Sequence, residues 1–136
     1  MAFQFRIVTG SGIPIYRQII DQVRAAIATE DLVAGDQLPS VRALAEQVVV
    51  NPNTIAKAYA GLVQDGLVDT SPGKGFFIAT RRRRLSSDEQ RRRLDLAVVA
   101  FAHEVLLLDI SRNEVLEAVE QRLRQLEPSP TPKEGS

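Results

Sequence analysis

Val50-Asn51-Pro52-Asn53-Thr54-Ile55-Ala56-Lys57-Ala58-Tyr59, in the middle of the chain, marks the start of a helix. Asparagine is a favoured N-cap, and proline at the first helical position costs nothing, because the N–H it lacks would have no intrahelical partner there. From Pro52 onward Ile55, Ala58, Tyr59, Leu62 and Val63 recur at helical spacing and form one apolar face, and Gly66 supplies the stop. Asn53, Thr54, Lys57 and Gln64 fall off that stripe and are left to face outward.

Upstream, Ser40 caps a shorter helix whose inward positions are Val41, Leu44, Ala45 and Val48. The stretch from Asp36 to Pro39 is too constrained to be helical; Val33-Ala34-Gly35-Asp36 reads as a turn and Gln37-Leu38-Pro39 as extended chain. Before it, Ile15, Ile19, Val23 and Ile27 recur every four residues, Tyr16 and Ile20 widen the stripe, and Pro14 opens an amphipathic helix. At the N-terminus, Phe3-Gln4-Phe5-Arg6-Ile7 alternates apolar and polar, the pattern of a short half-buried strand, before Gly10-Ser11-Gly12 breaks it.

Downstream, Leu67-Val68-Asp69-Thr70 and Phe76-Phe77-Ile78-Ala79 read as two strands joined by Ser71-Pro72-Gly73-Lys74-Gly75, whose glycines allow the positive φ of a tight hairpin. Three helices with a short gap between the second and third, closed by a hairpin, outline a winged helix-turn-helix over residues 1–80.

Residues 81–87, with Arg81 to Arg84 at their head, show no periodicity and read as a basic linker. Ser87 with Gln90, and Ser111 with Glu114, are capping boxes that each open a helix. Leu94, Val98, Phe101, Val105 and Leu108 follow heptad-like spacing in the first, and Leu116, Val119, Leu123 and Leu126 in the second. An antiparallel hairpin over residues 88–127 is too small to bury both seams by itself, so a partner is expected, and the simplest partner is a second copy. Leu94, Val98, Phe101, Val105, Leu116, Val119 and Leu123 are the expected dimerisation residues. Residues 128–136 are proline-rich and expected to be disordered. The fold class is thus mainly α with a small β-hairpin: an N-terminal winged helix-turn-helix, then a two-helix C-terminal dimerisation hairpin.

A chain of 136 residues, 44% hydrophobic, can build a core, and without cysteine it has neither disulfides nor thiolate metal sites. One histidine, His103, stands without a ligand cluster; there is no phosphate-binding glycine loop and no acidic metal cluster, so neither an enzyme nor an obligatory cofactor or metal is expected. The longest apolar stretches, 96–102 and 105–108, are interrupted by His103 and Glu104 and fall short of a membrane span. No secretion signal opens the chain, which makes the cytoplasm the expected location. Net charge is zero, yet residues 1–84 hold ten Lys/Arg against seven Asp/Glu and the remainder seven against ten, so the basic half is the one suited to a polyanion.

The stretches Gly35-Asp36-Gln37-Leu38-Pro39-Ser40-Val41-Arg42-Ala43-Leu44-Ala45, Val50 to Tyr59, Gly66-Leu67-Val68 and Gly73-Lys74-Gly75-Phe76-Phe77 together resemble the winged-helix signature of GntR-family regulators, over roughly residues 10–80. The Asn51-Pro52-Asn53-Thr54 opening and a C-terminal part of only two helices are most similar to the YtrA-type subfamily. The resemblance implies a dimeric repressor of a transporter-type operon, bound to a palindromic double-stranded DNA operator. It also places a DNA-contacting arginine at Arg42, whereas many relatives carry a guanine-reading arginine where this chain has Pro52.

The residues themselves agree. Side chains near the start of a recognition helix meet base edges or phosphates in the major groove, which selects Asn53, Thr54 and Lys57; an asparagine paired bidentately with adenine discriminates by about 1–3 kcal/mol. Gly73 and Lys74 form a wing tip suited to close backbone approach and a phosphate contact. With Ser40 and Arg42 these are the candidate DNA-binding residues, and Arg81 to Arg84 are placed to touch phosphates from the linker. An effector site, if one exists, would lie at the dimer interface, because residues 88–127 hold too few elements to enclose a cavity. The competing reading is a winged helix used as a protein-interaction module; the polar character of Arg42, Asn53, Thr54, Lys57 and Lys74 speaks against it, since such a face should expose aromatic or aliphatic residues.

Overall fold

The computed structural model describes residues 3–80 and 86–127, and it divides into two units. In the first, the expected stripes become α1 (Ile15–Ala28), α2 (Val41–Val48) and α3 (Pro52–Gln64), followed by β1 (Val68–Ser71) and β2 (Gly75–Ile78). Helix α3 packs against α1, α2 and β1. Ile55, Tyr59 and Leu62 of α3 are fully buried against Ile19 and Val23 of α1, Leu44 of α2, Leu38 and Val68. Each such side chain is worth about 1.5–3 kcal/mol relative to exposure.

The helix ends follow from the backbone. After α3, Leu67 N–H donates to the Leu62 carbonyl and Gly66 N–H to that of Val63, both at 3.0 Å, with Gly66 at φ +76°. These two bonds satisfy carbonyls that the helix leaves orphaned, and glycine takes the left-handed conformation without a Cβ penalty. Helix α2 closes in the same way: Val50 N–H donates to the Ala45 carbonyl at 2.9 Å, and Val49 occupies the left-handed position at φ +55°. A β-branched residue there is strained, and Val49 is also 88% exposed.

β1 and β2 pair antiparallel, Val68 opposite Ile78 and Ser71 opposite Gly75. Lys74 N–H closes the turn on the Ser71 carbonyl at 2.9 Å, with Pro72 pre-set for the second position and Gly73 at φ +77° in the third. The extended segment ahead of α2 also pairs with β2, a pairing beyond the two-stranded expectation. Gly35 N–H donates to the Ile78 carbonyl (2.9 Å), Ile78 N–H to that of Asp36 (2.8 Å) and Leu38 N–H to that of Phe76 (2.9 Å). β2 is therefore hydrogen-bonded along both edges.

The strand expected over residues 3–7 does not form. Its backbone is satisfied instead by two glutamines one turn apart on α1. Arg6 N–H donates to Gln22 Oε1 and Val8 N–H to Gln18 Oε1, each at 2.8 Å; Gln18 Nε2 donates back to the Val8 carbonyl at 2.9 Å, and Gln22 Nε2 to that of Arg6. A carboxamide carries the same donor and acceptor as a peptide group, so it replaces the missing neighbouring strand. Phe5 is buried in the core beneath this clasp.

The second unit comprises α4 (Ser87–Val105) and α5 (Arg112–Gln125). The cap of α4 is Ser86 rather than Ser87: its Oγ accepts from Glu89 N–H at 3.1 Å. Adjacent serines each precede Glu or Gln by three residues, and the earlier one wins. At α5 the expected cap holds, Ser111 Oγ accepting from Glu114 N–H at 3.2 Å. Hydrogen bonds from Arg92 and Arg93 hold the Glu89 carboxyl down to about 2. No residue of α4 or α5 is buried, and the packing that joins α1, α2, β1 and α3 has no counterpart of that extent between them. No helix among the described residues is long and apolar enough to cross a membrane. The arginine run Arg81 to Arg84 and the tail 128–136 lie outside the described residues.

Candidate nucleic-acid interface

The start of α3 is organised by Asn51, whose Oδ1 accepts from Asn53 N–H at 2.8 Å. Asn51 is thereby used as a cap. The Asn53 side chain is exposed and has no hydrogen-bond partner among the described residues, which leaves both its amide donor and its acceptor available. Lys57 is exposed one turn on, and Thr54 is half-buried. Between them stands Ala56, exposed and overlooked in the sequence because alanine announces no chemistry, although its methyl group suits contact with a thymine methyl.

Ser40 acts as the cap of α2, its Oγ accepting from Ala43 N–H at 3.0 Å, and Arg42 is exposed two residues later. At the wing tip Gly73 and Lys74 are exposed, and Gln37 Nε2 donates to the Lys74 carbonyl at 2.9 Å, bracing the tip against the segment ahead of α2. Gln37 is a second residue that sequence reading passed over; no local pattern signals a bond across 37 positions.

Tyr59 ties these parts together. Its hydroxyl donates to the Pro39 carbonyl at 2.7 Å, one residue before the α2 cap, and its ring meets Phe76 of β2 edge-on at 4.8 Å. Burial pushes its phenol well above the usual tyrosine range. α3, the start of α2 and the wing are thus held in one frame.

The cations of this unit sort into two groups. Arg17 pairs with Asp21 at 3.6 Å, and Arg24 of α1 pairs with Asp65 at the end of α3. Arg6, Arg42, Lys57 and Lys74 have no carboxylate partner among the described residues, and the last three are the ones carried by α2, α3 and the wing. Lys57 instead places its Nζ over the Tyr16 ring of α1, 3.9 Å from the centroid. The arrangement presents amide, ammonium and guanidinium donors, the groups that bind phosphate oxygens and base edges.

The seven expected dimerisation residues all lie on α4 and α5. Leu94, Val98, Phe101, Leu116 and Leu123 are exposed, and Val105 and Val119 half-buried. The exposed apolar surface is wider than the heptad pattern suggests, since Leu96, Val99, Leu106, Leu107 and Ile110 join it.

Residues 15–78 match the family of bacterial regulatory proteins described as gntR. Among its relatives, the chain is 38% identical over 107 residues to the uncharacterized HTH-type transcriptional regulator YhcF of Bacillus subtilis, covering 78% of this chain and 87% of YhcF. It is 44% identical over 69 residues to the HTH-type transcriptional repressor YtrA of the same organism, covering 51% of this chain and 53% of YtrA. A crystal structure described as a transcriptional antiterminator from Listeria monocytogenes superposes with a TM-score of 0.81 at 27% identity, covering 96% of this chain and 98% of the other. With the winged helix-turn-helix and its outward polar helix start in place, these likenesses show that the chain belongs to the GntR family of bacterial transcriptional regulators, as a YtrA-type member.

Proposed function

We propose that this regulator acts in the cytoplasm as a homodimeric repressor that occupies a palindromic operator of a transporter-type operon and blocks transcription sterically. The observation that carries the reading is the start of α3. One face is wholly buried in the core, while Asn53 and Lys57 stand exposed on the other with Arg42 and Lys74 unpaired nearby in sequence on α2 and the wing. Asn53, Ala56 and Thr54 meet base edges, Lys57, Arg42 and Lys74 meet phosphates, and Gly73 lets the wing backbone approach the duplex. The role of Ser40 is to cap α2 and aim Arg42. Repression follows the name given to YtrA, a relative in the same subfamily.

The dimer is supported by the apolar side chains that α4 and α5 leave exposed, Phe101 and Leu94 among them. A two-fold pair places its recognition helices on half-sites about 34–36 Å apart, or somewhat more. An effector, if the protein takes one, binds between the two copies.

Selection of bound duplexes from a random pool tests the reading. A palindromic consensus is expected, and Lys57→Ala or Arg42→Ala should each lower the slope of log affinity against log salt by about one. Recovery of no consensus, or preferential competition by RNA, would overturn it.

A further inference from the structure

We propose that Tyr16 is a positioning residue for DNA binding: its ring holds the Lys57 ammonium at the recognition helix without neutralising it. The inference rests on the reading of α3 as the DNA-facing helix. Lysine carries a long stem with several rotatable bonds, and immobilising it on a phosphate costs conformational entropy at the moment of binding. A side chain already held in the free protein has lost that freedom beforehand.

What holds it matters. A carboxylate partner, such as those of Arg17 and Arg24, cancels formal charge and must be displaced by a phosphate. An aromatic face attracts the cation through its quadrupole, leaves the full positive charge in place, and takes none of the ammonium's hydrogen-bond donors in conventional bonds. Lys57 Nζ lies 3.9 Å from the Tyr16 centroid, well inside the range of this interaction. Tyr16 is half-buried in the first turn of α1 and packs against the core, so the platform is itself fixed. α1 and α3 are packed together, and the contact therefore spans two elements of one rigid unit.

The test uses the full chain and the duplex recovered by selection with the unmodified protein. Tyr16→Leu is expected to weaken binding about three- to tenfold, Tyr16→Phe to stay within about twofold of the parent, and Tyr16→Leu to change affinity by less than about twofold once Lys57 is alanine. The salt slope should fall with Lys57→Ala and hold with Tyr16→Leu, which a general loss of fold would not produce. Tighter binding by Tyr16→Leu would show that the ring restrains Lys57 from the phosphate and would overturn the proposal. So would an equal loss in the presence and absence of Lys57, or an equal loss with Tyr16→Phe. No effect of Lys57→Ala would remove the interface reading beneath it, a failure separate from that of Tyr16.

Discussion

Residues 3–80 and residues 86–127 use their large apolar side chains in opposite ways. In the first unit Ile19, Leu38, Leu44, Ile55 and Leu62 are sealed in one core, whereas in the second Leu94, Val98, Phe101, Leu116 and Leu123 all face outward and nothing is buried. Side-chain caps open helices in both units, at α2 and α3 as at α4 and α5, so capping does not distinguish them. The difference is tertiary: the first unit buries its large apolar side chains internally, and the second leaves its own exposed, the surface that we propose a second copy covers. Large exposed apolar surface is the usual mark of an interaction site, and it is the ground on which we propose dimerisation there.

The largest expected effect tests that contrast directly. In the dimer we propose, replacing both Val98 and Leu123, each more than half exposed in the single chain, by Glu puts four carboxylates into the apolar interface. The variant should be monomeric by light scattering at micromolar concentration, with the thermal transition of the first unit retained; a monodisperse dimer would break the comparison. Leu62→Ala should cost about 2–5 kcal/mol in urea unfolding of the first unit, because it leaves a cavity in a sealed core. Leu116→Ala should change that same transition by less than about 0.5 kcal/mol, and an equal effect of both would mean the two regions share one core.

A smaller effect, of opposite sign, is expected at the turn between α2 and α3. Asparagine tolerates the left-handed conformation that Val49 is forced into, and Val49 buries almost nothing, so Val49→Asn should raise stability by about 1 kcal/mol in the same unfolding assay. No gain would mean that the valine makes up its strain elsewhere.

The smallest effect concerns the entry to α4. The Glu89 carboxyl is held at about 2 by Arg92 and Arg93, below its ordinary 4.5, so the ionised form is favoured in the folded state. Its stabilisation is complete above the ordinary value and is lost as pH falls through about 2. The helical signal of the parent should exceed that of Glu89→Gln at pH 6, and the gap should close on acidification; a gap independent of pH would rule out the ion pairs as its source.

Much of this was legible in the sequence because it is local. Stripes at helical spacing located α1, α2 and α3, Pro52 and Gly66 bounded the third, and Pro72-Gly73 marked the wing turn. What the residues concealed is non-local. The segment ahead of α2 pairs with β2 across 38 to 43 positions through backbone groups that carry no side-chain signature. The alternation over residues 3–7 correctly signals a half-buried segment, but its partners are side chains of α1, so no strand results. At the candidate interface, the core stripe of α3 told which residues face outward, while Tyr16 was read only as part of the apolar face of α1. A cation resting on a ring from another helix leaves no mark in the order of residues.

The bond from Tyr59 to the Pro39 carbonyl and its edge contact with Phe76 have one further consequence for how a regulator of this kind adapts. In the DNA-bound state we propose, α3, the start of α2 and the wing meet the duplex as a single casting, because Tyr59 ties all three together. For the proposed dimer, tolerance for half-sites of differing separation is therefore to be sought outside residues 3–80, in whatever sets the distance between the two copies.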